Sequence, residues 1–232
     1  MRKALVILTL NESEALPKIW DRVPLSAADE VLAVDGGSTD GTREFLEAKG
    51  VKVLGQPRRG RGAAFRVAAA ATTAEALCFF SPDGNEDPAD IPKLFALLEA
   101  GADLAVASRM TAGAVNEEDA QRLKPRKWAN LAFNAAANLL WNKGPFVTDT
   151  INGFRAVRRD KLDSLACDED GFSIEYQMSI RAMKAGLVIR ELATREGPRL
   201  GGASTAGSIS TGLVFLRLLL RELRGGGTPP PL

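Results

Sequence analysis

The sequence predicts an α/β protein: a mostly parallel central sheet with helices on both faces, a three-layer sandwich. Three observations predict it. Continuous apolar runs recur at Lys3 to Leu10, Val31 to Val34, Val51 to Leu54, Ala76 to Phe80 and Leu104 to Ala107; unbroken apolarity marks strands covered on both faces. Helical segments separate them, at Glu14 to Arg22, Thr42 to Lys49, Ala63 to Thr73 and Ile91 to Ala100. Polar loops follow several runs, where an open sheet built by right-handed crossovers gathers its ligands.

The first run has a basic start, but it stops at Asn11-Glu12 without a small-residue cleavage pattern, so it reads as a buried strand rather than a leader. The loop after the second run, Asp35-Gly36-Gly37-Ser38-Thr39-Asp40-Gly41, is a glycine-rich turn entering a helix at Thr42. Asp35 sits at the strand end, where a carboxylate meets a base or ribose. Asp40 reads equally as a helix cap or a functional group. The fourth run ends in Ser81-Pro82-Asp83-Gly84-Asn85-Glu86-Asp87-Pro88. This cluster of hard oxygen donors suits Mg²⁺ or Mn²⁺ shared with a diphosphate, and lacks the ligand order of a calcium loop. A polar turn is the plainer alternative for Asp83, and capping fully explains Asp87 followed by Pro88.

The second half loses the alternation. Lys127 to Asn142 reads as a helix with Asn130, Asn134, Asn138 and Asn142 on one stripe and Leu131, Ala135 and Leu139 on an apolar face. The asparagines are expected to face solvent, with a substrate groove as the alternative. Asp149 to Arg155 forms a compact polar loop leading into Ala156-Val157; Phe172 to Ala185 reads as a helix bearing Glu175, and Leu187 to Leu192 as a last strand. The expected division is one domain over 1–207, a basic amphipathic helix over 208–224 and a disordered tail over 225–232. That helix is expected to pack on the domain, with an anionic lipid surface as the alternative.

Composition narrows the chemistry. Thirty basic and 29 acidic residues leave a net charge of +1, which gives no global field for nucleic acid. The absence of histidine excludes a Ser-His-Asp triad, His-ligated zinc and histidine bases, leaving acid-base work to carboxylates. Cys78 and Cys167 read as reduced thiols. No segment reaches the roughly eighteen apolar residues of a membrane span, so the expected location is cytoplasmic, or peripheral on the inner face of the membrane.

The motifs LTLNESEAL, VDGGSTDGT, RGRGAAFRVA, SPDGNEDPADI, DTINGFRAVRRD and EGPRLGGAS, in this order, resemble inverting family 2 glycosyltransferases of the GT-A (Rossmann-like) fold. Within them the chain is similar to the dolichol-phosphate mannosyltransferase and polyprenyl-phosphate sugar transferase branch. The likeness covers about Lys3 to Arg224. It implies donor contacts at Leu10, Asn11, Glu12 and Asp35, and a segment of Arg59, Gly60 and Arg61 closing over the nucleotide, its glycines giving the ligand close approach. Asp83 and Asn85 are implied metal ligands. Arg155, Arg199 and Ser204 match positions near donor or acceptor phosphates, although Arg155 is read equally as a salt-bridge partner at the core edge.

The resemblance implies transfer from a UDP- or GDP-sugar to a lipid phosphate or other acceptor, by direct displacement helped by Mg²⁺ or Mn²⁺. A hydroxyl acceptor would need a base, for which Asp149 and Glu175 are the candidates. The chain departs from the family at Ser81 and Gly36, each standing where relatives carry an aspartate. A catalytically silent nucleotide-sugar-binding scaffold and a sugar nucleotidyltransferase remain the alternatives.

Overall fold

The computed structural model describes residues 1–119, 123–201 and 208–225. Seven strands form one sheet: β1 (Lys3–Thr9), β2 (Glu30–Asp35), β3 (Lys52–Gly55), β4 (Ala76–Phe80), β5 (Leu104–Ser108), β6 (Arg155–Arg158) and β7 (Ile189–Ala193). Their order is β3-β2-β1-β4-β6-β5-β7. All pairings are parallel except those of β6, which runs antiparallel to β4 and β5. The chain winds outward from β1 to β3 and returns to place β4 on the other side of β1. The loops after β1, β2 and β4 therefore end on one edge, at a topological switch point.

Period-two alternation sorts each buried strand between two cores. Leu5, Ile7, Cys78, Phe80, Ala105 and Ala107 face one core, with α1 (Leu16–Ile19), α2 (Thr42–Ala48) and α4 (Ile91–Glu99) packed there. Val6, Leu8, Leu77, Phe79, Leu104 and Val106 face the other, beneath α3 (Arg61–Ala71), α6 (Arg159–Leu165) and α7 (Ile174–Lys184). Phe65 stacks on Phe79 with ring centroids 3.7 Å apart. A third cluster joins α5 (Pro125–Trp141), α7 and α8 (Ser208–Leu223) through Tyr176, Ile180, Phe215, Leu218 and Leu219.

Two expectations need correcting, and one helix was not expected at all. The first helix is only one turn, continued as a 3₁₀ turn over Trp20–Arg22: Pro17 fits only in its first turn and Pro24 stops it. Helix α6 was not anticipated; its seven residues carry only two apolar side chains, Leu162 and Leu165, too few to establish a period. The asparagine stripe of α5 faces inward: Asn134 and Asn138 are buried, while Leu139 is 88% exposed. Asn134 Nδ2 donates to the Thr148 carbonyl (2.5 Å) and its Oδ1 accepts from Thr150 N (2.9 Å). Asn138 both donates to and accepts from the Val147 backbone (2.8 and 2.9 Å). The amides satisfy a loop that has no ladder of its own.

Candidate active site

The loop after β1 is zipped to the loop after β2. Asn11 takes a left-handed conformation (φ 58°), receives Thr39 N on Oδ1 (3.0 Å) and donates its own N–H to Ser38 Oγ (2.9 Å). Glu12 N donates to Thr42 Oγ1 (2.7 Å) and Ser13 N to Asp40 Oδ2 (3.0 Å). Asp40 also accepts from Thr42 N and Oγ1; burial opposes ionisation, but the hydrogen bonds from Thr42 and Ser13 hold its pKa down to about 2. Asp35 is buried, its carboxylate taken by Gly37 N and Ser38 N, each at 3.0 Å. Leu10 stands exposed beside Gly36. A Cβ on Gly36 would come within 3.1 Å of Gln56 Oε1, so an aspartate there requires Gln56 to yield.

The loop after β4 supplies the acidic wall. Asp83 Oδ1 accepts from Asn85 N (3.0 Å), and Arg199 Nη1 lies 3.1 Å from Asp83 Oδ2. The segment carrying Arg199 is tied to this loop by Gly197 N to the Asn85 carbonyl (2.9 Å) and Leu200 N to the Asp83 carbonyl (2.8 Å). Asn85 Oδ1 and Glu12 Oε2 are buried with no hydrogen-bond partner. Burial first, then the nearby Asp83 charge, push Glu12 up to about 7. Asp87 receives Ala89 N at 3.2 Å, the expected cap ahead of Pro88.

Ser81 Oγ accepts from Arg61 Nη1 (2.7 Å), and Arg61 Nε is ion-paired with Glu175. A second carboxylate is nevertheless close: Glu86 receives Ser81 N (2.7 Å) and lies 3.8 Å from Arg61 Nη2. Burial raises its pKa to about 8. The glycines flanking Arg61 are required by a neighbouring segment of the chain itself. A Cβ on Gly60 would lie 2.2 Å from the Asp170 carbonyl oxygen, and one on Gly62 2.0 Å from that of Glu169. They admit the backbone of 169–170, whose Asp170 carbonyl accepts Gly62 N (2.9 Å) at the start of α3. Gly153 leaves room for the Arg61 guanidinium, which a Cβ there would meet at 2.1 Å.

Arg61, Ser81, Asp83, Asn85, Glu86 and Arg199 line a cavity of about 420 Å³ together with Arg109, Asn130, Phe133, Glu175 and Glu196; Leu10, Asn11, Glu12 and Asp35 are not among its lining residues. Arg109 donates to Asp149 Oδ2 through Nε (2.8 Å) and to Oδ1 through Nη2 (3.1 Å), and lies 3.4 Å from Glu196. Asp149 is fully buried. Burial opposes its ionisation, but Arg109 holds its carboxyl below the usual range. Arg155 lies behind the cavity rather than in it: its guanidinium donates to the carbonyls of Asn152 (2.8 Å from Nε) and Glu175 (2.9 Å) and to Ser179 Oγ (3.2 Å). Burial lowers its pKa to about 10. Thus Arg155 pins the 149–153 loop to α7 and, among the described residues, forms no ion pair with a carboxylate. Ser204 lies outside the described residues. Arg109 and Glu196 were not anticipated, though Arg109 directly follows β5, at a strand end where the topology says to look.

The sequence profile of glycosyl transferase family 2 matches residues 4–165. The chain belongs to this family. A dolichyl-phosphate hexose transferase of Haloferax volcanii is 32% identical over 226 residues, 94% of each chain. A polyprenol monophosphomannose synthase of Mycolicibacterium smegmatis is 29% identical over 227 residues, 89% of this chain and 82% of that relative. Among solved structures, glucosyl-3-phosphoglycerate synthase of Mycobacterium tuberculosis, bound to Mn²⁺, UDP and phosphoglyceric acid, superposes with a TM-score of 0.75. It is 22% identical, over 99% of this chain and 80% of the synthase. The GT-A fold expected of this glycosyltransferase is the fold observed.

Proposed function

We propose that this glycosyltransferase moves a sugar, with inversion, from a UDP- or GDP-sugar to a polyprenyl phosphate or another membrane-associated acceptor. The observation that carries the reading is how the cavity's charges are paired. Asp149 and Glu175, the carboxylates suited to deprotonating a hydroxyl, are committed to Arg109 and Arg61. An acceptor phosphate arrives ionised and needs no such base. Arg109, aimed by Asp149 and Glu196, offers guanidinium donors matched to a phosphate. The relatives named for dolichyl-phosphate and polyprenol substrates support the same class of acceptor.

The loop after β4 fits a hard divalent cation, Mg²⁺ or Mn²⁺. Asp83 and Asn85 present oxygen donors, and Asn85 Oδ1 is buried without a protein partner. Among the described residues no three of Asp, Glu, Cys or His gather around one point, so diphosphate oxygens and water would complete the shell. When bound, the cation neutralises charge on the departing nucleoside diphosphate. Arg61 and Arg199 add fixed positive charge on the same wall. The zipped loops after β1 and β2 adjoin this wall through Glu12, which feels the charges of Asp83 and Arg199, and would form the floor for base and ribose through Leu10, Asn11, Glu12 and Asp35.

The test is thermal stabilisation of wild type and Asp83→Ala by a panel of UDP-, GDP-, CDP- and dTDP-sugars, with Mn²⁺ and with chelator. One donor class is expected to stabilise the wild type, and the shift to vanish with chelator and in the variant. A shift that survives both favours a silent binding protein, and no shift with any donor overturns the reading.

A further inference from the structure

Helix α8 carries two apolar stripes, of which one is used. Phe215, Leu218 and Leu219 are buried against α5 and α7, with Glu222 anchoring the same side through Arg181 (3.0 Å) and Lys184 (2.6 Å). Leu213, Leu216, Leu220 and Leu223 recur at three- and four-residue steps on the opposite side and are all exposed. Arg217, Arg221 and Arg224 form an adjoining stripe, with Arg217 and Arg224 exposed. Helix α5 repeats the arrangement: with its asparagines turned inward, Trp128, Leu131 and Leu139 face outward, 55%, 44% and 88% exposed. The outward faces of both helices carry no carboxylate. Helix α5 has no Asp or Glu, and the one in α8, Glu222, is buried. In a chain with 29 acidic residues and a net charge of +1, this is a strongly local bias. Both helices also line the cavity, through Ala129 and Asn130 of α5 and Gly212 of α8.

We infer that the outward faces of α5 and α8 together form a surface that lies on an anionic lipid bilayer. Leucines would enter the acyl boundary, Trp128 would sit at the headgroup level, and the arginines would meet lipid phosphates. The cavity would then open beside the membrane. Its purpose rests on the lipid-acceptor reading; the binding itself does not.

The test is co-sedimentation of the full chain at low salt with phosphatidylglycerol/phosphatidylcholine vesicles and with phosphatidylcholine alone. The variants are the double changes Leu216→Glu with Leu220→Glu and Arg217→Ala with Arg224→Ala, all exposed positions outside the cavity. Wild type is expected to sediment with the anionic vesicles and to be released by salt. The arginine pair is expected to lose at least about tenfold in partitioning, and the leucine pair to stop sedimenting while keeping wild-type helicity and donor-induced stabilisation. Wild type that stays in the supernatant, or variants that sediment like it, overturn the inference. So does a wild-type dimer in light scattering that the leucine pair splits, because the stripe is then an interface between copies. Donor stabilisation is read separately, so failure of the membrane face and failure of the donor site give different results.

Discussion

At the scale of single residues, the site depends on arginines whose partners hold them in place. Asp149 takes two guanidinium hydrogen bonds from Arg109 and a third bond from its backbone N–H (3.0 Å). Asp149→Asn leaves the half-buried Arg109 guanidinium with only the more distant Glu196 as counter-charge and is expected to cost about 3 kcal/mol, read in denaturant unfolding; a loss below 1 kcal/mol, as roughly expected of a surface pair, contradicts this account. Gly62→Ala forces a Cβ against the Glu169 carbonyl oxygen at 2.0 Å. Displacing that backbone is expected to lower stability by about 2–4 kcal/mol, with an unfolding midpoint unchanged from wild type as the contrary result. Asp40 gives a pH signature. Its folded pKa, about 2, lies below the ordinary 3.8, so its contribution is fully present above that ordinary value and is lost as pH falls toward 2. The difference in thermal midpoint between wild type and Asp40→Asn is therefore expected to shrink between about pH 4 and pH 2; a gap that stays constant removes the link.

At the scale of elements, α5 separates what the sequence showed from what it hid. Its length and period were legible, but its orientation was not. Periodicity says that two faces differ, and only tertiary context says which is inside. Here the inward face is polar because the 144–150 backbone needs partners, and the asparagine amides provide them. Asn134→Ala is expected to cost about 2–3 kcal/mol, since it strands the Thr148 carbonyl and Thr150 N–H. Leu139→Ser is expected to stay within about 0.5 kcal/mol. The reverse ranking in urea melts would restore a solvated asparagine face. The same limit explains the glycines around Arg61. Their spacing was visible in RGRG, but the neighbour that demanded them, the 169–170 backbone, lies more than a hundred residues away in sequence.

At the scale of the whole molecule, the parallel sheet was readable because buried strands on both faces leave unbroken apolar runs. The convergence of the loops after β1, β2 and β4 followed from that topology alone. The antiparallel β6 gave only a four-residue run between arginines, too short to reveal its direction. Asp83, Asn85, Glu12 and Arg199 were singled out through motif and strand end, and the structure brings them together; of the two readings of Arg155 the core-edge one is nearer to its buried position, although carbonyls and Ser179 rather than a carboxylate receive its guanidinium. On the proposed reading the donor lies on the switch-point loops and the acceptor meets Arg109, with the candidate bases already paired. The most direct test offers the donor that stabilises the protein, with Mn²⁺ or Mg²⁺, to a polyprenyl phosphate and to the corresponding polyprenol, following labelled sugar into lipid. The account predicts transfer to the phosphate and little or none to the alcohol. Equal transfer to both, or transfer to the alcohol alone, would show that a base acts on a hydroxyl and would contradict it.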